Sequence, residues 1–128
     1  MSKRCDQDLI EDIVICLSKI EEYIHGLNYE DFVNDYKTQD AIIRNLEVMG
    51  EASKQILSGV KKEYQNIPWK MIAGTRDRLI HGYFGVNIDI VWEITTIDIP
   101  ALKKEIEKII KGYFGKQFGG SCKAVPRA

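Results

Sequence analysis

Between Asp6 and Ile24 the apolar residues Ile10, Ile13, Leu17, Ile20 and Ile24 return every three or four positions. That repeat places side chains on one face of an α-helix. Leu9, Val14 and Cys16 widen the stripe, so this helix has more than one neighbour to pack against. The same period returns after Thr38 in Ala41, Ile42, Leu46, Met49, Ile56 and Val60. It predicts a second long helix over about residues 39–58, with Thr38 as its N-cap. Gly50 interrupts that helix without a proline, and a small residue there permits close helix packing. The chain has no internal repeat and no pair of alternating runs joined by a hairpin turn. Such a chain buries its apolar faces helix against helix. The expected fold is all-α, an antiparallel bundle of four to five helices with short connections.

The remaining segments follow the same logic. Gly26 stops the first helix, and Asn28 caps a short one over Tyr29–Asp35. Ile67-Pro68-Trp69 restarts the chain, since proline suits a first helical turn where its missing N–H is not needed. A helix is expected from about Pro68 to Gly82, with Gly74 as a soft point. Asn87 caps the next, which holds Ile90, Val91, Trp92 and Ile94. Pro100 breaks or kinks this segment, and Ala101–Tyr113 continues with Leu102, Ile106, Ile109 and Ile110. Trp69 and Trp92 read as core, although an exposed ring could stack on a base. Residues 1–114 form the expected domain, and the glycine-rich, aperiodic stretch 115–128 reads as a flexible tail.

A chain of 128 residues with 45% hydrophobic and 29% charged residues has ordinary globular composition, enough for one core without metal or disulfide support. No apolar run approaches the roughly 18 residues that span a bilayer. No apolar stretch follows the basic start MSKRCDQDL, so the expected location is the cytoplasm. Cys5, Cys16 and Cys122 include no C-x-x-C pair, so neither a disulfide framework nor a zinc site is expected. Charge is uneven. Residues 1–60 carry six Lys/Arg against twelve Asp/Glu, and residues 61–128 carry twelve against seven. A basic half suits a phosphate ligand, and an acidic half suits a basic partner; ordinary helix surface charge accounts for the numbers equally well.

Two histidines are available for chemistry. His25 ends the first helix beside Gly26, where a cation is favoured by the helix dipole. His81 lies in the densest polar run, Gly74-Thr75-Arg76-Asp77-Arg78-Leu79-Ile80-His81-Gly82-Tyr83. On a helix, Arg76 and Tyr83 fall on nearly the same face, and Asp77 can hydrogen-bond His81 one turn on. Gly82 can end the helix and let His81 and Tyr83 turn towards Arg76. A guanidinium, a carboxylate-backed imidazole and a phenol suit phosphodiester transfer in RNA. Histidine moves the proton, while arginine holds the phosphate as charge builds. A hydrogen-bonded helix end without catalysis would use the same residues. Glu51 reads as an ion-pair partner or orienter for Arg76, or as a solvated helix charge.

Arg76-x4-His81-x-Tyr83 resembles the R-x4-H-x-Y signature of HepT toxins, in the HEPN superfamily of helical ribonucleases. Arg44-Asn45-Leu46-Glu47 through Gly50-Glu51-Ala52, Ile67-Pro68-Trp69 and Val91-Trp92-Glu93-Ile94 agree with it in order. Together the similarity covers about residues 6–112. The resemblance implies a HEPN-like bundle and a homodimer whose signature helices share a cleft. It implies the endoribonuclease toxin of a type VII-like toxin–antitoxin pair, with Arg76 and His81 catalytic and no metal or cofactor; Asp77 and Glu51 read as catalytic support from their own spacing and helix position. It further implies RNA as substrate, and as partner a minimal nucleotidyltransferase antitoxin that adenylylates Tyr83, with which the dimer can build a larger assembly. An AMP on Tyr83 would set bulk and negative charge beside the Arg76 phosphate site. Two positions depart from the family pattern: Asp77 where asparagine is frequent, and Gly82 where aspartate is frequent. Asp77 either strengthens His81 as a base or partly neutralises Arg76. Two other readings remain: a non-catalytic nucleotide- or substrate-binding subunit of a two-component nucleotidyltransferase, and a plain helical dimerisation protein.

Overall fold

The computed structural model describes residues 5–56, 58–79 and 85–111, with the backbone alone for Arg76 and Asp77. The first helix, α1, is Asp6–Ile24, and it buries Leu9, Ile10, Ile13, Cys16, Leu17 and Ile20 on the stripe its periodicity predicts. Asp6 and Asp8 in its first turn oppose the positive end of the helix dipole. Gly26 then turns the chain at φ 78°, a left-handed conformation that side-chain-bearing residues avoid.

Helix α2 is Tyr29–Val33, shorter than the expected Tyr29–Asp35. Asn28 Oδ1 accepts the Asp31 N–H at 2.8 Å, and Asp31 Oδ2 accepts the Asn28 N–H at 3.2 Å. This reciprocal capping satisfies donors that the first turn leaves open. At the other end the buried Gln39 amide donates to the Phe32 and Val33 carbonyls at 2.8 and 2.9 Å.

Helix α3 is Tyr36–Gln55, and its N-cap is Asp35 rather than Thr38. The Asp35 carboxylate takes the Thr38 N–H at 3.0 Å and the Thr38 hydroxyl at 2.6 Å. Thr38 is thus the third helical residue, and its hydroxyl serves the cap. Those two bonds, the hydroxyl first, hold the Asp35 carboxyl below its ordinary value of 3.8. A carboxyl whose pKa is lowered by folding stabilises the fold above its unfolded value, and that contribution fades as pH falls through the folded value. Asp35→Ala is therefore expected to melt below wild type at neutral pH. The gap should close as both proteins are taken well below pH 3.8. Melting curves by circular dichroism check this, and a gap independent of pH would remove the cap's charge from the account.

Short helices α4 (Ser58–Glu63), α5 (Trp69–Ala73) and α6 (Thr75–Leu79) follow. The single helix expected from Pro68 to Gly82 is divided at Gly74, and its last three residues lie outside the described ones. Trp69 is buried, and its indole N–H donates to the Tyr64 carbonyl at 3.1 Å. Helix α7 is Ile88–Glu93, followed by a π-helical stretch, Ile94–Asp98, and α8, Ile99–Ile109. Pro100 falls in the first turn of α8 and does not break the chain there. The irregularity sits just upstream, in a widened π turn where an upstream carbonyl lacks the N–H donor that proline cannot supply.

The result is an all-α bundle in which α1 and α3 make the largest contact and α8 closes against α1. One cluster of buried side chains runs through it, from Ile10 and Ile13 through Phe32, Ile42 and Leu46 to Ile99 and Ile106. Lys103 of α8 reaches Glu21 of α1 at 2.5 Å. Cys16 is free and buried, and burial raises its thiol pKa. Cys5 is disulfide-bonded, a pairing that the reading of no disulfide framework did not include; cysteine spacing carries no sign of a pairing that tertiary structure creates. Among the described residues no helix is long and apolar enough to cross a membrane. The expected tail, 115–128, lies outside the described residues.

Candidate functional site

The segment that carries the polar signature is positioned from α3. Gly50 is buried, and a Cβ built on it would stand 3.2 Å from the Ile72 carbonyl oxygen and 3.6 Å from that of Ala73. Only a residue without a side chain lets α3 approach the end of α5 so closely. The buried Thr75 then splices α6 onto α5 across Gly74, its hydroxyl donating to the Met71 carbonyl at 3.0 Å. Arg76 and Asp77 occupy the first turn of α6, and Leu79, 1% exposed, anchors its end in the core.

Leu79 and Asn87 flank the segment that carries the rest of the signature. The Asn87 N–H donates to the Leu79 carbonyl at 2.9 Å, so the ends of the intervening stretch are held together. The Asn87 side chain meanwhile accepts from the Asp89 and Ile90 N–H groups at 2.9 and 3.2 Å, capping α7 as expected. His81, Gly82 and Tyr83 belong to this stretch and lie outside the described residues, as does the expected Asp77–His81 hydrogen bond. Of the proposed set, then, the structure places the backbone of Arg76 and Asp77 together on one short helix.

Glu51 is exposed on α3, with its carboxylate 3.5 Å from the Lys54 ammonium, and it lines a cavity beside Ala73 of α5. His25 is the exposed C-cap residue of α1. Trp92 is half-buried and packs against Phe32 and Tyr29, with ring centroids 5.4 and 5.7 Å apart. The Tyr29 hydroxyl donates to Asp89, and that bond raises the phenol pKa. Among the described residues no three His, Cys, Asp or Glu side chains converge as they would around a metal ion.

A tether that periodicity could not reveal joins α6 to the π-helical stretch. Arg78 Nη1 lies 3.2 Å from Asp98 Oδ2, both side chains partly shielded. The bond spans twenty residues of sequence and fixes α6 two positions from Arg76. Asp98→Ala is expected to cost only about 0.5–1 kcal/mol of stability, as partly exposed ion pairs do. If α6 must be held in place for the chemistry, RNA cleavage should fall by more than that loss explains. The exchange Arg78→Asp with Asp98→Arg should restore much of it. An Asp98→Ala protein with undiminished cleavage would show that the tether serves stability alone.

A family model described as ribonuclease HepT-like matches residues 13–109. A probable ribonuclease HepT of Thermococcus cleftensis is 46% identical over 109 residues, which is 85% of this chain and 99% of the relative. A putative RNase of Methanocaldococcus jannaschii is 43% identical over 116 residues, covering 91% and 96% of the two chains. Another, from Caldanaerobacter subterraneus subsp. tengcongensis, is 43% identical over 90 residues, covering 70% and 80%. No solved structure matches the chain. The fold and these alignments, running through nearly all of the helical region, place the chain in the HepT-like ribonuclease family.

Proposed function

We propose that the chain is a metal-independent endoribonuclease, the toxin of a type VII-like toxin–antitoxin pair, in which Arg76 and His81 cut RNA. The observation that supports this reading is the way the elements flanking the R-x4-H-x-Y segment are held. Arg76 lies in the first turn of α6, a short helix held by the Thr75–Met71 bond, the buried Leu79 and the Arg78–Asp98 pair. His81 and Tyr83 belong to the stretch whose ends the Leu79–Asn87 hydrogen bond joins. Such a neck limits how far a histidine two residues beyond it can stray from an arginine three residues before it. That restriction is what a proton-transfer pair needs, because misplacement by about 1 Å can cost about 100-fold in rate.

In the proposed reaction the 2′-OH of one nucleotide attacks the adjoining phosphorus, and the bond from phosphorus to the 5′-oxygen of the next breaks. An imidazole takes the proton of the attacking hydroxyl, and a second proton reaches the departing oxygen. The Arg76 guanidinium grips the phosphate with parallel hydrogen bonds while its charge rises. One chain supplies one suitable histidine for these two transfers, and a homodimer sharing one cleft supplies two. Asp77 orients His81, and Glu51 supports the site from α3. A minimal nucleotidyltransferase antitoxin silences the site by adenylylating Tyr83, which adds bulk and negative charge where RNA phosphate must bind.

Three measurements test the reading. Purified protein in excess chelator should cut RNA, and induced expression should arrest growth. After co-expression with the neighbouring nucleotidyltransferase, intact mass should show adenylyl additions that map to Tyr83. Well-folded protein that leaves RNA whole and is harmless when expressed would favour the non-catalytic binding subunit.

A further inference from the structure

We propose that the cavity between α3 and α5 is a guanine-base pocket that holds the nucleotide beside the bond to be cut, an inference that rests on the ribonuclease reading. The cavity has a volume of about 360 Å³, within the range of small-ligand sites. Its polar wall comes from one face of α3, where Arg44, Glu47, Glu51 and Lys54 stand at three- and four-residue steps. Gly50, packed against the end of α5, and the small Ala73 form its floor, and Val48 adds apolar surface on which a planar ring can lie. Ala73 ends α5 three residues before Arg76, which sets the pocket beside the proposed cleavage site.

The charge of the wall selects the ligand class. Two cations and two carboxylates sum to zero, whereas a phosphate site calls for net positive charge and a divalent-cation site for mostly carboxylates. A neutral heterocycle with donors and acceptors side by side fits. Glu51 and Lys54 already pair with each other. Arg44 and Glu47 make no ion pair or side-chain hydrogen bond among the described residues, so both are open to a ligand. A carboxylate accepts two adjacent N–H donors, and guanine alone among the four bases presents two, at N1 and N2, with the O6 acceptor beside them. Glu47 takes the two donors, and Arg44 takes O6.

The test titrates the full chain with GMP, AMP, CMP and UMP by NMR, and maps cuts in an RNA of mixed sequence. GMP should bind about tenfold more tightly than the others, the discrimination expected of a two-bond base contact. Glu47→Gln, a partly exposed helix position whose folding circular dichroism can confirm, should abolish that preference, because an amide cannot accept both donors. Arg44→Ala should weaken GMP selectively. Wild-type cuts should cluster beside guanosine and scatter in Glu47→Gln. Equal binding of the four nucleotides, or a GMP preference that Glu47→Gln leaves intact, overturns the pocket, while RNA cleavage in the same samples would leave the ribonuclease reading standing. Selective GMP binding without any RNA cleavage supports the pocket and removes the ribonuclease. Selective GMP binding with cuts indifferent to guanosine overturns the pocket's place beside the scissile bond.

Discussion

Arg76→Ala and His81→Ala are each expected to slow RNA cleavage by about 100- to 10,000-fold while leaving the helical fold intact. The range is that of a single lost proton-transfer or charge-stabilising group. Neither change should unfold the chain, because α6 is held by Thr75, Leu79 and Arg78, which both variants retain. The two effects should differ in kind. Loss of the guanidinium removes a hold on phosphate in ground and transition states alike, so KM should rise as kcat falls. Loss of the imidazole removes an interaction made only as protons move, so kcat should carry nearly all the effect. A third measurement tests whether the two copies act together. Dimers mixed from one intact and one His81→Ala chain should keep well under half the activity. Full activity per intact chain would mean that each copy works alone, and the second proton transfer would need another donor.

What could be read from the residues depends on the range of the interaction involved. The long helices follow from apolar period, and α1, Asp6–Ile24, ends with the Ile10-to-Ile24 stripe. Helix ends are harder where two capping residues compete. Asp35 and Thr38 are both good N-caps three residues apart, and the spacing of apolar residues favoured the later one. The structure uses both, Asp35 as the cap and Thr38 as a donor to it. Gly74 marks a true division because Thr75 can bond back to Met71 across it. Pro100 marks the disturbance only to within a few residues, since a helix can widen ahead of a proline rather than break at it. The site divides the same way. Arg76, Asp77, His81 and Tyr83 are neighbours in sequence and stand out as a local pattern. The Arg78–Asp98 tether and the Leu79–Asn87 neck join residues whose partners no period selects.

Phe32→Ala should destabilise the fold by about 3–5 kcal/mol, the largest loss expected of any single side chain between α2 and α7. Phe32 is fully buried, its ring lies 5.4 Å from that of Trp92, and its carbonyl accepts the Gln39 amide. Truncation therefore removes apolar burial, leaves a cavity, and takes away the surface on which Trp92 rests. Trp92 belongs to α7, the helix that Asn87 caps while also closing the neck at Leu79. The consequence for function is a prediction of order. Urea unfolding should show the stability loss with an unchanged slope, since the same surface is exposed. At concentrations of urea that leave the variant folded, RNA cleavage should already be impaired, because α7 can shift before the core between α1 and α3 opens. Phe32→Leu keeps most of the volume and should lose about 1–2 kcal/mol. A Phe32→Ala protein as stable as wild type would mean that α2 and α7 are held mainly by the outer Tyr29–Asp89 contact. The neck would then need a different support.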